Sequence, residues 1–163
     1  MATRQSVAGF RWPGFGTGWV LMQGSVVRQV RFPGSPLSQA FNFALLCGAG
    51  EGEAGRVARM LEDWLAGKGP WPVVEADLGL LAPFSRKVLE ACLEVPPGEV
   101  CTYGELARRA GRPGAARAAG NALAQNPAPL VVPCHRVSPS GGGLGNYQGG
   151  GELKRWLREL ETR

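Results

Sequence analysis

The sequence predicts an α+β protein in two parts: a small N-terminal α/β domain with an antiparallel sheet over residues 1–80, and a mostly helical C-terminal domain with a helix-turn-helix over residues 81–163. Three observations lead there. Residues 18–32 hold two apolar runs around a glycine, the pattern of a β-hairpin, and a helical stretch follows at 53–66. Residues 67–83 carry Pro70, Pro72, Pro83 and several glycines, which break regular structure and read as a linker. Beyond them the apolar spacing is helical almost to the end.

Taken in order, residues 1–16 mix glycine, proline and aromatic residues without a period and read as an irregular arm. Strands are expected at 18–23 and 25–32, the second with Val26, Val30 and Phe32 on one face and Gln29 and Arg31 on the other. Gly24 suits the turn between them, and Pro33-Gly34 ends the pair. In the helix at 53–66, Val57, Met60, Leu61, Trp64 and Leu65 form one stripe, and Gly67 stops it. A helix over 85–95 opens the second part, with Ser85 as its cap and Pro96-Pro97-Gly98 as its terminator. Thr102-Tyr103-Gly104-Glu105 matches a capping box and starts a short helix to Ala110. Gly111-Arg112-Pro113 turns the chain into a helix from Gly114 to Ala124, which completes a helix-turn-helix outline. A glycine-rich loop at 141–151 precedes a last helix at 152–160, striped by Leu153, Trp156, Leu157 and Leu160.

Composition narrows the function classes. No apolar run spans a bilayer, and residues 1–20 lack the layout of a signal peptide, so a cytoplasmic, soluble protein is expected. The four cysteines, Cys47, Cys92, Cys101 and Cys134, have no metal-ligand spacing and read as reduced thiols; neither a metal nor a cofactor is expected. The glycine loop lacks the spacing of a phosphate cradle. The net charge is +5, and residues 1–100 are balanced at nine basic and nine acidic residues, so the excess lies in residues 101–163. A basic C-terminal part points modestly to a polyanion such as DNA.

The second helix of the helix-turn-helix is unusual. Over residues 114–123 nearly every side chain is small, and Arg117 is its one long basic residue. A helix with ordinary side chains is about 10–12 Å across, whereas the minor groove is about 6 Å wide, so only a helix stripped of bulk could press into it. Tight packing through an alanine face explains the same pattern, and the composition alone favours packing.

The most informative stretch is Pro133-Cys134-His135-Arg136-Val137, which holds the chain's single histidine. A thiol is reactive as thiolate, and a neighbouring base can supply it. For an arbitrary Cys–His pair, a buried cysteine beside a surface histidine is the simpler reading.

The surrounding pattern changes that weighing. From Phe84 to Glu161 the chain resembles the O6-alkylguanine-DNA alkyltransferases. The resemblance rests on Pro97-Gly98-Glu99-Val100, Thr102-Tyr103-Gly104-Glu105-Leu106-Ala107, Ala115-Ala116-Arg117-Ala118, Asn126-Pro127, Pro133-Cys134-His135-Arg136-Val137 and Gly145-Asn146-Tyr147. Residues 1–80 resemble the family's variable N-terminal domain in length and element order, which implies a ribonuclease H-like fold.

The resemblance implies a monomer that binds alkylated double-stranded DNA in the minor groove, flips the damaged base and takes its alkyl group onto Cys134. The lesion is O6-alkylguanine, with O4-alkylthymine a further candidate. His135 would act as base through a water, held by Glu161, and Asn126 would support the turn into the active-site segment. Tyr103 would contact the flipped base, and Arg117 would fill the vacated stack. Val137, Tyr147 and Gln148 would line the pocket. Ser85, Thr102, Arg112, Ala115, Ala116, Gly120 and Ser140 match DNA-contact positions. Two positions depart from the family: Gly104 stands where many relatives have a polar DNA-contacting side chain, and Gln148 where a smaller residue is frequent. Three other readings compete. A non-enzymatic lesion-binding relative would lack the nucleophile that Cys134 provides. A cysteine hydrolase would need a separate, accessible Cys and His with an oxyanion hole. A transcriptional regulator would need base-reading side chains on its second helix.

Overall fold

The structure, a computed structural model, describes residues 5–34 and 52–163, so Cys47 lies outside the described residues. The chain divides into two compact units. The first takes residues up to Asp77 together with Pro127–Val131, and the second takes Leu78–Asn126 and Val132–Arg163.

In the first unit, β1 (Gln5–Trp12), β2 (Gly16–Gln23) and β3 (Val26–Arg31) form an antiparallel sheet in the order β1-β2-β3. The irregular arm expected at 1–16 is therefore corrected to a strand over residues 5–12. Its signal was the period of two in Ala8, Phe10 and Trp12, all buried, with glycine and arginine between them. Phe10 pairs with Gly18, and a Cβ at Gly18 would lie 2.4 Å from the Phe10 ring. The glycine there admits the aromatic side chain. Helix α1 (Glu53–Leu65) packs Val57, Ala58, Leu61, Trp64 and Leu65 into the core. Gly67 stops it as expected. With φ 69° it is left-handed, its N–H bonds Trp64 O, and the next N–H, of Lys68, reaches back to Asp63 O.

The stretch expected as a linker belongs in part to this unit. Val27 N donates to Glu75 O and Asp77 N to Val27 O, each at 2.8 Å, so residues 75–77 run parallel along β3, and Arg28 pairs with Asp77. Segment 127–131 also joins it: Val30 N donates to Pro127 O and the Trp71 indole N–H to Leu130 O. Leu130 has φ 75°, the one positive φ outside glycine among the described residues.

The second unit is mostly helical: α2 (Pro83–Leu93), α3 (Tyr103–Arg109), α4 (Ala116–Ala124) and α5 (Gly150–Glu161). Ser85 does not cap α2. Ala82 is the cap and Pro83 the first residue, because proline's fixed φ and missing N–H suit that position. The capping box is present, with Thr102 Oγ1 accepting from Glu105 N and Glu105 Oε2 accepting from Thr102 N. Two short strands, β4 (Cys101–Thr102) and β5 (Val137–Ser138), pair in parallel and place the start of α3 beside the segment after Cys134. Helix α4 turns Ala119, Ala122 and Leu123 inward and leaves Arg117 and Asn121 exposed.

Candidate active site around Cys134

Cys134 opens a single 3-10 turn, Cys134–Arg136, held by Cys134 N on Val132 O at 2.8 Å and Arg136 N on Pro133 O at 2.9 Å. The buried Asn126 fixes that turn from below α4. Its amide nitrogen donates to Val132 O at 3.1 Å and to Cys134 Sγ at 3.2 Å. Burial pushes the Cys134 thiol above its ordinary pKa; the Asn126 amide, the Lys154 charge and the Tyr147 hydroxyl act against that shift. The net shift is upward, so the resting side chain is a thiol, and Asn126, Lys154 and Tyr147 make its ionisation less costly than burial alone would.

The next residue is the chain's single histidine. His135 is fully buried, with Nε2 2.9 Å from Glu161 Oε1. Burial lowers the imidazole pKa more strongly than Glu161 raises it, so the ring is neutral near pH 7. Burial works the other way on Glu161, but hydrogen bonds from His135 and Arg136 outweigh it and bring the carboxyl to about 2. Arg136, also fully buried, donates from Nε to both carboxylate oxygens, from Nη2 to Oε1 at 2.6 Å and from Nη1 to Val95 O at 2.6 Å. Gly98 N, from the Pro96-Pro97-Gly98 turn, adds a further donor to Oε2.

Helix α5 supplies two more cations. Lys154 Nζ donates to the carbonyls of Val137 and Leu144, and burial lowers its pKa to about 8. Arg158 donates to His135 O at 2.7 Å and to Ser138 Oγ at 2.6 Å. Sequence reasoning assigned no role to Lys154, Arg158 or Arg136. The first two had a signal: Lys154, Arg158 and Glu161 stand at i, i+4 and i+7, a polar stripe beside the apolar stripe of α5.

Above the thiol lies a cavity of about 210 Å³ lined by Tyr103, Leu123, Ala124, Cys134, Asn146, Tyr147 and Gln148. Sites for drug-sized ligands run to about 300–1,000 Å³, so this one suits a single small ring system. Tyr103 reaches it from the start of α3 and closely overlies two glycines. A Cβ at left-handed Gly145 would lie 2.9 Å from its hydroxyl, and one at Gly120 would be 3.8 Å from its ring.

Residues 83–163 match the profile of the 6-O-methylguanine DNA methyltransferase DNA-binding domain. A crystal structure of Mycobacterium tuberculosis O6-methylguanine methyltransferase aligns at 35% identity and TM-score 0.78, covering 97% of this chain and 93% of that one. The chain belongs to the 6-O-methylguanine DNA methyltransferase family. A methylated-DNA–protein-cysteine methyltransferase of Methanothermobacter thermautotrophicus is 48% identical over 85 residues, 52% of this chain and 47% of the relative. The match thus spans about half the length of that curated relative. A second structural neighbour in the methyltransferase family is M. tuberculosis OGT in complex with DNA, at 33% identity and TM-score 0.76, covering 96% of this chain and 92% of that one.

Against the residues expected from the methyltransferase family, the structure brings Cys134 together with Asn126, and His135 with Glu161. Tyr103, Tyr147 and Gln148 line the cavity with Cys134. Val137 is fully buried and its carbonyl is taken by Lys154. Ala115, Ala116 and Gly120 are half-buried at and along α4, while Arg112, Arg117 and Ser140 are exposed. Ser85 is half-buried in the first turn of α2, Thr102 caps α3, and the Arg112 guanidinium lies 5.0 Å from the centre of the Phe84 ring. Among the described residues no group of three or more His, Cys, Asp or Glu could hold a metal, and no helix is long and apolar enough to cross a membrane.

Proposed function

We propose that this chain repairs O6-alkylguanine in DNA by moving the alkyl group irreversibly onto Cys134. The observation that carries the reading is a buried thiol on the wall of a cavity sized for one base, hydrogen-bonded by Asn126 and followed by a neutral, buried histidine on an ionised glutamate. The thiol proton passes to His135 through a water, Glu161 stabilises the imidazolium, and Sγ attacks the alkyl carbon. The bond from that carbon to O6 breaks, and guanine leaves with the proton returned from His135. The product thioether is a poor leaving group, so each molecule works once. O4-alkylthymine is a second candidate substrate of the same chemistry.

On this reading the α3–turn–α4 pair is a helix-turn-helix that docks in the minor groove and contacts DNA through Ser85, Thr102, Arg112, Ala115, Ala116, Gly120 and Ser140. A stacked base cannot reach a buried thiol, so the target is flipped into the cavity, with Tyr103 against it and Arg117 in its place in the stack. Val137 and Tyr147 border the flipped base. The first unit is ribonuclease H-like, and the protein acts as a cytoplasmic monomer. The test is incubation with duplex DNA carrying methyl-labelled O6-methylguanine. Label should transfer to protein in a burst equal to the active protein, map to Cys134 by peptide mass spectrometry, and vanish in Cys134→Ser. Steady turnover beyond one equivalent, or label on another residue, would sink the reading.

A further inference from the structure

Arg158 lies half-buried on α5, about one turn before Glu161, and both of its hydrogen-bond partners are neutral. Nε donates to His135 O at 2.7 Å and Nη2 to Ser138 Oγ at 2.6 Å, and the Ser138 hydroxyl gives its own proton to Gly143 O at 3.1 Å. Among the described residues no carboxylate pairs with this guanidinium, since Glu161 is taken by His135 and Arg136. A carbonyl and a hydroxyl need only donors, so the charge of Arg158 exceeds what its partners require. The groups around the imidazole do not cancel it. On the His135 turn, Arg136 is neutralised by Glu161. On α5, Lys154 is directed to Val137 O and Leu144 O, and Glu152, Arg155 and Glu159 are exposed. Helix α2 brings the Cys92 thiol towards the turn, neutral because burial pushes it well up. Its Arg86 serves Gly79 O, and its Lys87 and Glu90 are exposed. Cys101 on β4 is likewise a thiol that burial keeps neutral. What remains is a positive charge held against the backbone of His135.

We propose that Arg158 is a positioning residue for alkyl transfer: it fixes the His135 peptide and, as a charge without a counter-ion, keeps the imidazole free to accept the thiol proton down to mildly acidic pH, an inference that rests on the alkyl-transfer reading above. A second positive charge at His135 is unfavourable beside a guanidinium that no carboxylate neutralises. Burial is the main cause of the lowered imidazole pKa; Glu161 opposes it, and the charges of Arg136 and Arg158 add to it. A protonated His135 cannot accept a proton, so transfer fails as pH falls through the imidazole pKa. Arg158 lowers that pKa and moves the failure to lower pH; removing its charge moves the failure up. The same charge makes the transient imidazolium less favourable, so the effect lies in the position of the acid limb and not in the plateau rate.

The experiment compares the unaltered protein with Arg158→Gln and Arg158→Met, which lose the charge, and with Arg158→Lys, which keeps it. Because His135 is the chain's single histidine, NMR titration of the free protein follows one imidazole. Single-turnover rates on a duplex carrying O6-methylguanine give the acid limb between about pH 5 and 8. The imidazole midpoint and the acid limb should rise together by about one unit in Arg158→Gln and Arg158→Met, and Arg158→Lys should restore both. A midpoint that stays put in the two neutral variants overturns the proposal. So does an equal shift in Arg158→Lys, or a uniform rate loss at every pH with the limb unmoved, either of which marks Arg158 as a structural brace. A ring that stays neutral throughout the range in all four proteins overturns it as well. Failure of the underlying reading looks different: the unaltered protein would transfer no methyl group, while the imidazole midpoint would still respond to the charge at position 158.

Discussion

The Asn126 side chain donates its amide nitrogen to two partners, the Val132 carbonyl and the Cys134 sulfur. Asn126→Ala removes one of the two donors on that buried carbonyl and leaves the Cys134 N–H, a loss of about 0.5–1.5 kcal/mol. It also removes a hydrogen bond that favours the thiolate, so transfer should slow by more than the loss of stability explains. Chemical denaturation and single-turnover rates measured on the same preparation check both outcomes. Unchanged reactivity at reduced stability would confine Asn126 to a structural role. The proposed nucleophile was suggested by the sequence because Pro133-Cys134-His135-Arg136-Val137 is a local signature. The buried roles of Arg136 and Lys154 were not. Their partners are carbonyls of Val95, Val137 and Leu144 and a carboxylate distant in the chain, groups that composition does not mark.

At the scale of elements, local chemistry predicted what depends on local chemistry. The capping box at Thr102 and the glycine stop of α1 were read correctly because each is complete within a few residues. Thr102→Ala should cost about 1 kcal/mol, seen as a lower midpoint in thermal or denaturant unfolding. Strand β1 was missed because its partner β2 supplies the register, and Gly9 and Pro13 mask its alternation. The extended stretch at 75–77 was missed for a similar reason, since its bonds are made to Val27. Helix α4 buries Ala119 and Ala122 in packing, the first of its two sequence readings, and leaves Arg117 exposed on the opposite side. If that arginine fills a vacated stack, Arg117→Ala should slow transfer more on duplex than on single-stranded substrate, where no stack has to open. Equal slowing on both would make it a phosphate contact.

For the whole molecule, two buried groups fix the direction of the acid response. Burial lowers the His135 pKa in the folded state, so below about 6.5 the unfolded chain binds a proton that the native state does not. Stability therefore falls as pH drops through that range. Glu161 adds a second window: its folded pKa of about 2 lies below the ordinary 4.5 of a glutamate, and its contribution is lost as pH falls from the higher value to the lower. Denaturant midpoints measured from pH 8 to 3 should decline in both windows, and Glu161→Gln should flatten the lower one. A midpoint that rises on acidification would mean that His135 is charged in the native state. Two chain excursions also tie residues 127–131 to donors far upstream, Pro127 O to Val30 N and Leu130 O to the Trp71 indole. The backbone donor at residue 30 survives almost any substitution, but the one at residue 71 belongs to a side chain. That makes Trp71 a hostage to the strained backbone at Leu130, whereas nearby Val73, 81% exposed, answers to no such obligation. Among descendants of this sequence, position 73 should drift freely. Position 71 should change only alongside a new local conformation at 130, an inherited coupling that a library mutagenised at both sites and sorted for folding would expose.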